Sequence, residues 1–253
     1  MTDRDTPSAT TSPPNELPSP RHRRIRSFVI RAGRMTTGQE RAWRELWPQY
    51  GIEFTGEAID LDKLFGRCAP RVAEIGFGTG DALFAYARQH PEHDCLGIEV
   101  HPPGVGHLLL KIEAGGLSNV RAMRHDAVEV LSQALPPACL DEVHIFFPDP
   151  WHKKRHHKRR LIQKSFVDLL ARVVKPNGIV KLATDWQHYA EQILAVFDAH
   201  ADFDNLASLN ADNPESSSGF TARLKHRPLT RFERRGHRLG HGVWDMAFRR
   251  RAL

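Results

Sequence analysis

From residue 71 onward, short apolar runs alternate with stretches of helical period, and this alternation leaves few folds open. Residues 72–75, 95–100, 120–124, 143–147 and 179–183 read as strands. Between them, 81–90, 103–114, 127–135, 161–174 and 186–200 read as helices, with Asp81 opening the first and Gly115-Gly116 closing the second. Short apolar strands joined by helices form a parallel sheet covered on both faces. A turn is expected at Pro176-Asn177-Gly178, a polar, irregular stretch at 210–228 and a last strand at 243–248. The expected architecture is an α/β, Rossmann-like, doubly wound domain over residues 67–253.

What precedes that domain differs in kind. Residues 1–20 hold five prolines and almost no large apolar side chains, too little to offset the entropy of ordering, so a disordered tail is expected. Residues 21–66 form a basic N-terminal extension, partly helical between Gln39 and Leu64, with Trp43, Leu46 and Trp47 on one face. The net charge of +6 is concentrated rather than spread. Six arginines fall between Arg21 and Arg34, and six of the eight residues from Lys153 to Arg160 are Lys or Arg. Two such concentrations point to a polyanion, and Arg26, Arg31, Arg34, Lys154, Arg155, Lys158, Arg159 and Arg160 are the candidate phosphate contacts. Cys68, Cys95 and Cys139 form no C-x-x-C pair, which fits a reducing cytosol. No stretch approaches the roughly 18 apolar residues of a membrane helix, so a cytoplasmic protein without a membrane partner is expected. No obligatory protein partner is expected either.

The sharpest local motif is Glu74-Ile75-Gly76-Phe77-Gly78-Thr79-Gly80, between the first strand and its helix. Glycines Gly76, Gly78 and Gly80 allow a tight turn and close approach of a ligand to the backbone. Dinucleotide folds place G-x-G-x-x-G here, with pyrophosphate at the helix N-terminus, whereas this spacing is G-x-G-x-G. Glu74 would repel a pyrophosphate but suits S-adenosyl-L-methionine (SAM), whose sulfonium and ammonium are cationic. Glu99 ends the second strand, placed for ribose hydroxyls, and Asp126 follows the third, placed for an adenine amino group. Three strand-end acids around the loop favour SAM over a nicotinamide cofactor.

The fourth strand runs into Phe146-Phe147-Pro148-Asp149-Pro150-Trp151. Prolines fix the backbone, and an acid and an aromatic ring are presented together, which suits a flat, polar base. The bland alternative is a rigid turn capping a buried strand. The basic run from Lys153 follows at once, where a phosphate backbone would lie. Asp185 follows the fifth strand and suits either the same pocket or a helix N-cap before Trp186. Thr230-Arg231-Phe232-Glu233 again joins an acid to hydroxyl and aromatic groups. His152 and His156 stand at helical spacing, but the surrounding cations argue against a metal, and none is expected.

Taken together, these segments resemble the bacterial tRNA (guanine-N7-)-methyltransferase family, over roughly residues 26–249. The resemblance is carried by Arg26-Ser27-Phe28-Val29 with Gly33-Arg34, Glu74 to Gly80, Gly97-Ile98-Glu99-Val100-His101 and Asp126-Ala127. It is carried more specifically by Phe147-Pro148-Asp149-Pro150-Trp151-His152-Lys153, Thr184-Asp185, Thr230 to Gly236 and Gly240 to Asp245. It implies a class I methyltransferase sheet of seven mostly parallel strands with an antiparallel last strand. It implies SAM contacts by Glu74, Glu99, Asp126 and Asp149, with Asp149 catalytic, and substrate contacts by Lys153, Asp185, Thr230, Arg231, Phe232 and Glu233. The implied target is the guanine at conventional position forty-six of the tRNA variable loop. Methylation of an exocyclic amine, an RNA-binding subunit of degenerate methyltransferase fold and a nicotinamide oxidoreductase are the competing readings.

Overall fold

The computed structural model describes residues 25–29, 33–209, 219–224, 233 and 242–252. The expected tail and most of the irregular stretch at 210–228 lie outside them. The chain enters through α1 (Thr37–Glu45), α2 (Trp47–Tyr50), β1 (Gly51–Ile52) and α3 (Leu61–Phe65). It then alternates through β2 (Arg71–Ile75), α4 (Asp81–Gln89), β3 (Asp94–Ile98), α5 (Pro102–Gly115), β4 (Val120–Met123) and α6 (Ala127–Glu129). It ends with β5 (Leu140–Phe146), α7 (Lys164–Val173), β6 (Val174–Thr184), α8 (Gln187–Asp198), β7 (Phe203–Asn205), α9 (Leu206–Leu209) and β8 (Trp244–Arg250).

The strands form one sheet in the order β1-β4-β3-β2-β5-β6-β8-β7. All pairs are parallel except those of β8, which runs antiparallel to both β6 and β7. Order reverses between β2 and β5, so the crevice at their carboxyl ends is where an open α/β sheet receives ligands. Side chains alternate across the sheet. Val72 and Cys95 face a layer holding Leu83, Tyr86, Val105, Leu108 and Ile112, whereas Ala73, Ile75, Leu96 and Val143 face Phe166, Leu170, Ile193 and Phe197. Each such Leu, Ile or Phe, fully buried, contributes about 1.5–3 kcal/mol, so the site rests on a stiff, two-sided core.

The sheet has eight strands where seven were expected. The extra one, β1, comes from the N-terminal extension and pairs with β4 through two residues only, too short for any periodicity to reveal. It lies under Trp47, whose ring is so close that a side chain at Gly51 would meet it at 2.1 Å. The helix expected at 127–135 is α-helical only to Glu129 and continues as a π-helix, Val130–Ala134. Arg172 donates to the carbonyls of Leu131 and Leu135 there. The expected turn at Asn177 is a kink inside β6. Asn177 has φ 64°, and the register with β5 shifts between Leu140 and Glu142. Residues 161–163 precede α7 instead of starting it, and the Ile162 N–H donates to the Tyr189 hydroxyl at 3.1 Å.

The extension is also what fixes α5. Thr36 and Gln39 form a capping box at the start of α1. Gln39 Nε2 and Trp43 Nε1 then donate to the carbonyls of Pro103 and Pro102, each at 3.1 Å. The start of α5 is thereby pressed against the glycine loop, so tightly that a Cβ at Gly104 would sit 2.3 Å from the Gly78 carbonyl oxygen. Gly104→Ala is expected to force loop and helix apart and destabilise the protein by about 1–3 kcal/mol. Chemical denaturation measures this, and an unchanged midpoint would show that the contact is slack.

Candidate active site

Beyond Ile75 the chain must turn sharply to start α4. Gly76, Gly78 and Gly80 all take positive φ, 71°, 55° and 73°. At Gly80 the requirement is double, since a Cβ would also meet Leu108 at 2.7 Å. At Gly76 and Gly78 nothing lies within 4 Å of an added Cβ, so the outer side of the loop is open. Glu99, just past β3, clasps this loop. One carboxylate oxygen accepts from Gly78 N–H at 2.8 Å, and the other accepts from Val100 and His101 N–H at 2.6 and 3.0 Å. Asp126, past β4, caps α6 by accepting from Val128 N–H at 3.0 Å.

Glu74 is the odd member of the three acids. It is 3% exposed, and its Oε2 has no hydrogen-bond partner. Burial in the sheet, reinforced by Glu99 and Asp81, pushes its carboxyl up to about 8. A buried acid beside an open glycine loop is a place for a positive charge. In its ionised form it fits a sulfonium or ammonium and would repel a pyrophosphate. Three of the four acids expected to hold SAM lie at the ends of three neighbouring strands, β2, β3 and β4, and the fourth, Asp149, lies past the end of β5.

β5, the other neighbour of β2, ends in a constrained turn. Phe147 and Trp151, both bulky, have φ of 53° and 47° and flank Pro148-Asp149-Pro150. Such conformations cost of order 1–3 kcal/mol each and persist only where surroundings hold them. Phe147 N–H donates to Ala183 O at 2.8 Å. Trp151 Nε1 donates to Ser27 O at 2.9 Å, and the Arg159 guanidinium lies 4.0 Å over the Trp151 ring. From below, Arg160 Nε donates to Pro150 O at 2.8 Å. Asp149 is left exposed at the crest.

Arg160 corrects an expectation. It was placed among the phosphate contacts, yet it is 2% exposed. Its Nη1 reaches Gln192 Oε1 at 2.6 Å and His188 Nδ1 at 3.0 Å, its Nη2 lies 3.3 Å from His157 Nε2, and its plane lies over the Tyr189 ring. It is an internal brace between the turn and α8. Arg159 is likewise turned inward, donating to the carbonyls of Arg26 and Phe28, each at 3.2 Å. That contact docks residues 26–28 beside the turn. Lys153, Lys154, Arg155 and Lys158, on and before the 3-10 turn Lys154–Arg159, are exposed, as are Arg26 and Arg34.

Asp185 follows β6, beside the β5 turn, and is half-buried. It does not cap α8: the N-cap is Trp186, which has no side-chain cap bond, and the Trp186 N–H reaches Thr184 Oγ1 at 3.3 Å. His152 lies edge-on to Trp186. Glu233 is buried and accepts from Arg223 Nε at 2.9 Å, a partner sequence reasoning did not single out. Arg31, Thr230, Arg231 and Phe232 lie outside the described residues. The braces were missed as well, because a cationic run carries no mark of which member folds inward.

A family described as putative methyltransferase matches residues 68–246. The tRNA (guanine-N(7)-)-methyltransferase of Thiobacillus denitrificans is 55% identical over 90% of this chain and 96% of its own. That of Burkholderia cenocepacia is 52% identical over 97% and 92%. Among solved structures, the 16S rRNA methyltransferase KamB shares the fold, with a TM-score of 0.50, 16% identity and coverage of 78% of this chain and 95% of its own.

Removing the brace is expected to be costly. Arg160→Ala strands the Pro150 carbonyl and Gln192 and should lower stability by about 2–4 kcal/mol. Arg160→Lys should recover little, because an ammonium lacks the planar fork that reaches both. Urea unfolding of the two variants measures this, and wild-type stability in Arg160→Lys would show that only the charge matters.

Proposed function

Because the chain belongs to the tRNA (guanine-N7-)-methyltransferase family, we propose that it methylates N7 of a guanine in tRNA, using SAM, at position forty-six of the variable loop. The observation that carries this reading is Glu74, a buried carboxylate at an open glycine loop, one strand away from the exposed Asp149. When bound, SAM supplies a methyl group on a cationic sulfonium, and transfer leaves the sulfur neutral and puts the positive charge on the guanine ring. Glu74 would hold cationic cofactor groups, Glu99 the ribose hydroxyls and Asp126 the adenine edge. The lone-pair directions that Glu99 and Asp126 do not give to backbone N–H groups remain for those contacts.

Guanine N7 carries a lone pair and no proton, so no general base is needed to create the nucleophile. What the protein must supply is alignment and a field for the charge that develops. Asp149, at the crest of a turn held in place by Arg160 and Trp151, would accept from the N–H edge of the base and stabilise the methylated ring. Asp185 and Glu233 would contact the same base or its neighbours. The exposed Lys153, Lys154, Arg155 and Lys158, with Arg26 and Arg34, would take the phosphates and set affinity and salt dependence more than base identity. No helix among the described residues is long and apolar enough to cross a membrane, and cytoplasmic tRNA is the partner proposed.

Methyl transfer from labelled SAM to unmodified tRNA, with the product mapped by cleavage at N7-methylguanosine, tests the reading. Cleavage in the variable loop is expected. Label without that cleavage would move the target to another atom. Asp149→Ala should lower kcat by about 100-fold or more while SAM still binds, and near-wild-type kcat would remove the role given to Asp149.

A further inference from the structure

At the opposite end of the sheet from the glycine loop, the connection from α4 to β3 is the four-residue turn His90-Pro91-Glu92-His93. It lies the length of α4, roughly 13 Å at 1.5 Å per residue, from the site described above. The turn is built from inside. The Asn119 amide, 6% exposed, donates to the carbonyls of Ala87, His90 and His93 at 3.1, 3.1 and 2.9 Å. Arg67 adds bonds to the carbonyls of Pro91 and His93 at 2.9 and 3.2 Å and pairs with Asp94. The backbone that carries the two histidines and the acid is therefore fixed before any ligand arrives.

Their side chains converge. His90 Nδ1 is 3.1 Å and His93 Nε2 is 3.6 Å from the same Glu92 oxygen, and all three donor atoms lie within 4.8 Å of one another. Ligand atoms held about 2.0–2.1 Å from a tetrahedral Zn²⁺ stand about 3.3 Å apart, close to the two shorter separations. On its other side the His93 ring is fixed by Tyr86, whose hydroxyl is 2.9 Å from Nδ1. That contact holds the ring with Nε2 turned towards Glu92, the usual arrangement of an outer partner behind a ligating histidine. All three residues keep a solvent-facing part, with side-chain exposures of 26%, 59% and 23% for His90, Glu92 and His93, so water can complete the coordination. We propose that His90, Glu92 and His93 form a binding site for one divalent transition-metal ion of the zinc type, with Tyr86 as the positioning residue. Two neutral imidazoles and a carboxylate are the donor set such an ion takes, whereas magnesium and calcium prefer oxygen alone. Bound there, the ion ties the end of α4 to the start of β3 and takes no part in methyl transfer.

The test uses the full chain, freed of metal by a chelator, titrated with zinc chloride by calorimetry and with cobalt(II) by visible absorption. One ion per chain, with the intense visible bands of tetrahedral cobalt, is expected. Glu92→Gln, at an exposed position, and His93→Ala should weaken binding by more than the 10–100-fold typical of losing an outer partner, and Tyr86→Phe by about 10–100-fold. Cys68→Ser, which removes the exposed thiol, should leave binding unchanged. The proposal is overturned if no saturable binding occurs below about 1 mM, if it survives in both Glu92→Gln and His93→Ala, or if Cys68→Ser abolishes it.

Discussion

The arrangement depends on one buried carboxyl group. Glu74 sits in the sheet at the end of β2, and its Oε2 has no hydrogen bond from the protein. An isolated carboxylate in such a place is expensive, so burial favours the protonated form, and a cation bound there would favour the ionised one. Around it, the glycine loop turns tightly, Glu99 clasps the loop, and α5 presses on it through Gly104. α5 is in turn held by Gln39 and Trp43 of the N-terminal extension. A chain of packed, hydrogen-bonded groups thus runs from α1 to the place where a cationic cofactor would sit.

The other half of the site uses positive charge in two ways. Arg159 and Arg160 fold inward and hold a turn that the backbone alone would not adopt, with Phe147 and Trp151 both at positive φ. Lys153, Lys154, Arg155 and Lys158 stay outside. The same short cationic run therefore positions the acid at the crest and presents a basic face beside it. The docking of residues 26–28 on Trp151 and Arg159 joins Arg26 to that face.

Much of this was legible in the sequence, and the exceptions have physical reasons. Strands β2 to β5 are short and carry apolar residues on both faces, and the glycine spacing and the three strand-end acids stand plainly in the sequence. β1 escaped because two residues carry no period. The π-helical turn at Val130–Ala134 escaped because no local pattern marks it, and Arg172, which bonds its carbonyls, comes from α7, 41 residues beyond Leu131. Arg160 was assigned to solvent because neighbouring cations read as a solvated face, and only the positions of Pro150, Gln192 and His188 in space turn it inward. Asp185 offered two readings, and the observed N-cap at Trp186 removes the capping one.

The central claim is that Glu74 exchanges a proton for a cation. With the carboxyl held near 8 in the free protein, it is mostly protonated at pH 7, and a bound cation favours the ionised form. Binding must then release protons, and affinity must rise with pH until about 8, by up to tenfold per unit, since one unit is 1.36 kcal/mol. Calorimetric titration with SAM at neutral pH, in two buffers of different ionisation enthalpy, counts those protons directly. The account predicts release approaching one proton per site in the wild type and none in Glu74→Gln. Tight binding without proton release by the wild-type protein would contradict it.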